Sequence, residues 1–79
     1  MLYYPYESAY WQKAREKLGE KLKSSREKKS LTQAELAKKA GIHVNYYARV
    51  ERGEVNPSFE ILAQITKALG VKSADILPF

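Results

Sequence analysis

The sequence has 79 residues, 44% of them hydrophobic, with a formal net charge of +5 and a pI near 9.5. This length allows one small domain, and the absence of cysteine excludes a disulfide framework and a thiolate metal site. No apolar run approaches the roughly 20 residues of a membrane helix and no secretory signal is evident, so we expect a cytoplasmic protein, and the positive charge favours a polyanionic partner.

The chain begins with an unusually aromatic segment. Five of its nine aromatic side chains fall within the first eleven residues: Tyr3, Tyr4, Tyr6, Tyr10 and Trp11. This segment either folds back over the small core, with Tyr10, Ala14 and Leu18 extending the first helix, or forms a surface for a protein partner, because Tyr and Trp are enriched at interface cores. We place an aromatic extension at residues 1–16, partly continuing into helix one, and a domain at residues 17–79.

Helix one is predicted to run through Leu22 and Arg26 to about Lys29, where consecutive polar residues mark its end. A stripe of lysines along it is interpreted as its solvent-facing side.

A second, shorter helix is predicted over about 33–40. Thr32 and Glu35 have the spacing of a capping box, in which each residue satisfies the other's backbone N–H group. Gly41 ends the helix because glycine tolerates the left-handed conformation, and the apolar Ile42 after it is expected to turn into the core.

A third helix follows directly, over about 43–52, and we expect it to end at Gly53. Tyr47 and Val50 lie three residues apart and point inward. The opposite face carries Val44, Asn45, Ala48, Arg49 and Arg52. Asparagine can pair with an adenine edge, arginine with guanine or phosphate, and valine with a thymine methyl group, so this face has the chemistry of base reading in duplex DNA.

Helix four is predicted to open with Pro57 in its first turn and to stop at Gly70. Its core positions are predicted to be Phe59, Leu62, Ile65 and Leu69. Ser73 is expected to cap a short fifth helix. The last residues, Ile76, Leu77, Pro78 and Phe79, place apolar surface at the terminus. We expect this surface to form part of a homodimer contact, the alternative being that Phe79 packs on the aromatic cluster of its own chain.

Taken together, these segments resemble the Cro/CI-type (XRE) helix-turn-helix DNA-binding domains of phage and bacterial repressors. The resemblance covers roughly Leu18 to Leu77 and rests on LGEKLKSSR, LTQAELA, the Gly41-Ile42 turn, VERG, NPSFEIL and ITKALGV. It implies an all-α, five-helix lambda-repressor-like fold preceded by the aromatic N-terminal extension. The size and helical plan are similar to those of restriction-modification controller proteins and small phage repressors, which act as homodimers.

The resemblance also implies roles for individual residues. Arg26 and Glu51 occupy the positions of a structural salt bridge, and Gln33 that of a phosphate contact. Two departures from the family are Tyr47, where a small aliphatic residue is usual, and His43, a weaker helix cap than Ser or Thr. We expect base reading by Val44, Asn45, Ala48 and Arg49. We expect DNA-backbone contacts by Thr32, Gln33, His43, Tyr46, Arg52 and Asn56.

The function expected is sequence-specific binding of double-stranded DNA by a homodimeric transcriptional regulator, with the 43–52 helix in the major groove. The alternative is an antitoxin or adaptor whose aromatic N-terminus, Tyr3 to Trp11, binds a protein partner. We expect no enzyme, cofactor or metal site, because the chain lacks cysteine, has a single histidine and shows no phosphate-cradling glycine loop.

Overall fold

The computed structural model describes residues 9–79, and this part of the chain is all-α, as predicted. Four α-helices and one short 3₁₀ turn follow in order: α1 (Ala9–Lys28), α2 (Gln33–Ala40), α3 (Val44–Glu51), α4 (Phe59–Leu69) and the 3₁₀ turn Ser73–Asp75. None of the helices in residues 9–79 combines the length and apolar character needed to cross a bilayer. Tyr3, Tyr4 and Tyr6 of the predicted aromatic extension lie outside the described residues.

The longest helix, α1, packs mainly against α3. It buries Leu18, Leu22 and Arg26, one residue per turn, against the rest of the molecule. Gly19 lies between the first two, where an added Cβ would overlap the backbone carbonyl oxygen of Glu51. Glycine is therefore needed there because the backbones of α1 and α3 touch without an intervening side chain.

The turn between α2 and α3 has the predicted geometry. Thr32 and Glu35 form both hydrogen bonds of the capping box at the start of α2. Gly41 adopts the left-handed conformation with φ of 74°, and the Ile42 N–H group donates to the carbonyl of Ala37 at 3.0 Å. This 6→1 bond closes the helix end and turns the half-buried Ile42 toward the core, which sets the angle at which α3 departs.

One hydrophobic cluster joins all of these elements. Its buried members are Leu18, Leu22, Leu36, Ala37, Ala40, Tyr47, Val50, Ile65, Leu69 and Ile76. Within the described residues, every buried side-chain nitrogen and oxygen has a hydrogen-bond partner. The small core is thus closed on all sides by helices that each contribute one apolar stripe.

The prediction for the start of α4 was wrong in two respects. Ser58, not Pro57, borders the helix: its hydroxyl oxygen accepts a hydrogen bond from the Ile61 N–H group at 3.2 Å, so Pro57 lies before the N-cap. Phe59 is 89% exposed and not part of the core. It is the first residue of α4, and the core contacts of the helix begin only with Ile61 and the residues after it.

The predicted fifth helix is also wrong. Ser73–Asp75 form a single 3₁₀ turn, closed by the Asp75 N–H group donating to Lys72 at 2.9 Å. The turn does not extend into an α-helix, because Pro78 offers no N–H group and disfavours helical geometry at the residue before it. Ile76, directly after the turn, is fully buried in the core.

Candidate nucleic-acid interface

The two faces of α3 have opposite environments, as the sequence predicts. Tyr47 and Val50 are buried in the core. On the other side Val44, Asn45, Arg49 and Arg52 are exposed, and Ala48 is half-buried. The helix therefore has one face buried in the core and one exposed face that carries hydrogen-bond donors.

His43 caps α3 through its ring. Its Nδ1 atom accepts a hydrogen bond from the Asn45 N–H group at 3.1 Å. An accepting Nδ1 carries no proton, which places the proton of the neutral ring on Nε2. The exposed imidazole thus satisfies one orphan donor of α3 and keeps one N–H group available at the same helix end.

Thr32 and Glu35 shape the N-terminus of α2 in a similar way. The Glu35 N–H group donates to the Thr32 hydroxyl oxygen at 3.0 Å, and the Thr32 N–H group donates to the Glu35 carboxylate at 2.8 Å. The backbone and hydroxyl hydrogen bonds with Thr32 hold the pKa of Glu35 below its ordinary value. The Thr32 hydroxyl acts only as an acceptor in this exchange, so its own proton is not used by it.

A buried carboxylate, Glu51, joins α1, α2 and α3. Arg26 Nε donates to its Oε2 atom at 2.6 Å and Arg26 Nη2 to its Oε1 atom at 3.1 Å. The Gln33 amide donates to Oε1 at 2.9 Å, and the Tyr47 hydroxyl donates to Oε2 at 2.5 Å. Arg26 Nη1 also donates to the carbonyl of Leu31 at 2.8 Å, which ties the α1–α2 loop into the same network. Three helices are thereby held by one acidic side chain.

The network changes the pKa values of its members. Burial alone favours protonation of Glu51, but the hydrogen bonds from Arg26, Tyr47 and Gln33 outweigh it and lower the pKa of the carboxyl. Burial, followed by the neighbouring Glu51, raises the pKa of the Tyr47 hydroxyl. Glu51 therefore stays ionised and Tyr47 stays a donor at neutral pH.

Two features of this region were not foreseen from the sequence. The sequence marked Tyr47 only as a departure from the family, whereas its hydroxyl donates to Glu51 four residues later, a spacing at which helix side chains meet. Glu54, to which no role was assigned, accepts hydrogen bonds from Arg52 and lies 3.5 Å from Arg49. The signal for Glu54 was the run of oppositely charged residues around Gly53.

The remaining predicted contact residues frame α3. Gln33 is half-buried at the start of α2, and Tyr46 packs partly against the core. Asn56 is exposed in the loop between α3 and α4. Within the described residues no group of three or more acidic or histidine side chains could hold a metal ion.

An open groove lies next to this surface, between the N-terminal half of α1, the α3–α4 loop with the start of α4, and the chain's last residues. Its volume is about 980 Å³. Its apolar lining includes Trp11, Ala14, Phe59, Leu62, Leu77 and Phe79. Ile76, predicted to share a terminal contact surface with these last residues, is instead buried in the core and unavailable to a partner.

Comparison with known proteins gives a consistent result. The profile of the helix-turn-helix family matches residues 22–76. The immunity repressor protein of Bacillus phage phi105 is 37% identical over 60 residues, and control protein C.BamHI of Bacillus amyloliquefaciens is 39% identical over 62 residues. These matches cover 76% and 77% of this chain, but 42% of the phage repressor and 76% of the control protein, so the chain spans less than half the repressor's length.

Solved structures agree with the sequence matches. The crystal structure of the restriction-modification controller protein C.AhdI from Aeromonas hydrophila superposes with a TM-score of 0.77 at 31% identity, covering 78% of this chain and 94% of that one. The clp gene regulator ClgR from Corynebacterium glutamicum also gives a TM-score of 0.77, at 40% identity, over 80% of this chain and 67% of ClgR. Sequence and fold thus point to the same group of proteins.

Proposed function

The chain belongs to the XRE-type helix-turn-helix family, and on that premise we propose that it is a transcriptional regulator that binds specific sites on double-stranded DNA in the cytoplasm. The observation that carries the proposal is the outer face of α3, where Asn45, Arg49 and Arg52 are all exposed while the inner face is buried. An α-helix anchored in this way fits the width of the major groove. No catalytic activity is part of the proposal, in keeping with a family of regulators.

We assign base reading to the outer face of α3, namely Val44, Asn45, Ala48 and Arg49. Backbone contacts are assigned to residues that surround that face: Thr32, Gln33, His43, Tyr46, Arg52 and Asn56. The N-termini of α2 and α3 support this division, because helix starts carry free N–H groups and a partial positive charge that favour phosphate. Phosphate contacts would set the register, and α3 would then read the bases.

Gln33 needs a specific mechanism because its amide is already engaged. Its Nε2 group donates to Glu51 at 2.9 Å. An amide nitrogen carries two hydrogens, so the second remains for a phosphate oxygen. The hydrogen bond to Glu51 then orients the amide for that contact at little further cost in side-chain entropy.

We also propose that the protein acts as a homodimer through the apolar groove. Phe59 and Phe79 are 89% and 79% exposed on its rim. An eight-residue recognition helix reads few base pairs, and a two-fold dimer reading half-sites ~34–36 Å apart gains affinity and selectivity together. Phe59→Ser and Phe79→Ser should then lower the mass measured by sedimentation equilibrium, whereas Val44→Ser, which removes exposed apolar surface elsewhere, should leave it unchanged.

Selection of binding sites from random-sequence duplex tests the proposed function directly. A preferred site should emerge, and binding should weaken with salt by about 0.9 logarithmic units per phosphate contact for each tenfold increase in salt. Asn45→Ala and Arg49→Ala should each lose about 1–3 kcal/mol of preference at particular base pairs, while Gln33→Ala should weaken all sequences alike. Salt-independent binding, or no enriched sequence, would contradict the proposal.

A second candidate function, an antitoxin or adaptor, is favoured by the aromatic pair at the start of α1. Tyr10 and Trp11 are 59% and 40% exposed, and their rings meet edge to face with centroids 4.7 Å apart. Such a surface suits a protein partner. Deleting residues 1–8 together with Tyr10→Ala should then abolish recovery of a defined partner while DNA affinity is retained. Loss of DNA affinity instead would connect this segment with the DNA-binding domain.

A further inference from the structure

We propose that Glu54 is a positioning residue that orients Arg49 and Arg52 toward DNA and lowers the overall affinity in exchange for selectivity. This inference rests on the proposed function.

The backbone fixes Glu54 beside the two arginines. Gly53 adopts a left-handed conformation with φ of 75°, which turns the chain back along α3. The Glu54 N–H group then donates to the carbonyl of Arg49 at 3.0 Å. This hydrogen-bonded turn places the carboxylate beside the side chains of Arg49 and Arg52.

The carboxylate occupies one edge of each guanidinium group. Arg52 Nε donates to Oε2 at 2.7 Å and Arg52 Nη2 donates to Oε1 at 3.2 Å. Arg49 Nε lies 3.5 Å from Oε1. The Arg52 hydrogen bonds, followed by Arg49, lower the pKa of Glu54, which therefore remains charged near neutral pH.

What remains free on each arginine is the edge that recognises nucleic acid. A guanidinium has five N–H donors in a planar fork. Arg52 spends its Nε hydrogen and one Nη2 hydrogen on Glu54, and Arg49 faces Glu54 through Nε, so the other terminal N–H groups of both residues are not engaged by this carboxylate. For Arg49 these terminal groups can pair with guanine O6 and N7 together, and for Arg52 they can reach a phosphate. Glu54 thus favours one orientation of each fork before DNA arrives.

The same carboxylate weakens binding in general. It places a negative charge between two of the cations that face the phosphates, and its side chain is 46% exposed. An exposed ion pair of this kind contributes little to folding, so removing it should leave the protein folded. Selectivity and affinity are therefore expected to change in opposite directions when Glu54 is altered.

The test measures the affinities of a selected operator and a scrambled duplex by fluorescence anisotropy, with thermal melts to show that each variant is folded. Glu54→Gln should bind the scrambled duplex ~3- to 5-fold more tightly, the range expected for an exposed charge. Its preference for the operator should fall at least ~5-fold, mainly at the base pair read by Arg49. Glu54→Asp keeps the charge but shortens the reach, so its preference should fall while its affinity for scrambled DNA stays near the wild-type value.

Glu20→Gln is the matched control, since it removes an equal charge from the exposed side of α1. It should leave the operator preference unchanged. If Glu54→Gln changes both affinities by the same factor, or changes neither, the inference is overturned. If the wild-type protein itself does not distinguish the two duplexes, the proposed function fails instead, so the two results can be told apart.

Discussion

Two glutamates near the end of α3 pair with arginines in very different surroundings. The side chains of Glu51 and its partner Arg26 are 3% and 10% exposed. The side chain of Glu54 is 46% exposed, and those of Arg49 and Arg52 are 53% and 56% exposed. Identical chemical groups thus form a permanent junction between helices in one case and an adjustable contact on the surface in the other.

Burial explains the difference. A buried carboxylate needs an opposite charge and a full set of hydrogen bonds beside it. Removing one of these partners leaves a charge that water cannot reach. An exposed carboxylate exchanges its partner for water or for another ligand at little cost. Ion pairs on this protein should therefore be judged by their exposure, and the following measurements test that view.

The largest effect is expected from the buried pair. Arg26→Ala or Glu51→Ala should each lower the free energy of unfolding by about 3–5 kcal/mol, because each strands the opposite charge. Glu54→Ala should cost less than about 1 kcal/mol. Urea denaturation of the three single variants and of the Arg26/Glu51 double variant measures these changes in the free energy of unfolding. Additive losses in the double variant would mean that the two side chains are not coupled.

A smaller loss is expected when a single neutral donor is removed from the junction. Tyr47→Phe should destabilise the protein by about 1–3 kcal/mol, because Glu51 Oε2 loses a buried hydrogen bond. Tyr46→Phe is the control, since the structure shows no hydrogen bond for that hydroxyl within residues 9–79, and it should change stability by less than about 0.5 kcal/mol. Equal effects in thermal melts would contradict the distinction between the two neighbouring tyrosines.

The smallest effect concerns pH and salt. Folding lowers the pKa of Glu51 below its value of about 4.5 in the unfolded chain. The contribution of its charge to the free energy of unfolding is therefore fully present above pH 4.5 and is lost as the pH falls through the lower pKa of the folded state. The free energy of unfolding of the wild type should therefore approach that of Glu51→Gln as the pH falls over that range.

Salt should separate the two carboxyls. Carbon-13 titration should show that ~1 M salt returns the pKa of Glu54 toward its ordinary value but leaves the pKa of Glu51 depressed. A similar salt response of both carboxyls would contradict the comparison.

Local patterns predicted the helix-turn-helix elements well. The capping pair of Thr32 and Glu35, the stop at Gly41 and the inward pair of Tyr47 and Val50 depend on residues close together in the chain. Such short-range rules act before tertiary packing, and here packing agrees with them. The family resemblance added the pairing of Arg26 with Glu51, which no local pattern could supply.

The misplaced residues are those that depend on distant parts of the fold. Phe59 has the helical spacing of a core residue, but α4 begins beyond the edge of the core, so the spacing places it in solvent. Ile76 was assigned to a terminal surface, yet the 3₁₀ turn directs it inward. The position of Glu54 depends on the backbone turn at Gly53, which sequence spacing alone does not reveal.

The backbone contact at Gly19 fixes how closely α3 approaches α1. No side chain separates α1 from α3 at this point, so the two backbones themselves set the distance between the helices. A methyl group at position 19 would overlap the Glu51 carbonyl oxygen, so α1 and the end of α3 would have to shift relative to each other. The direction of the proposed base-reading face therefore depends on this contact between backbones, and it can be altered without changing any residue of that face.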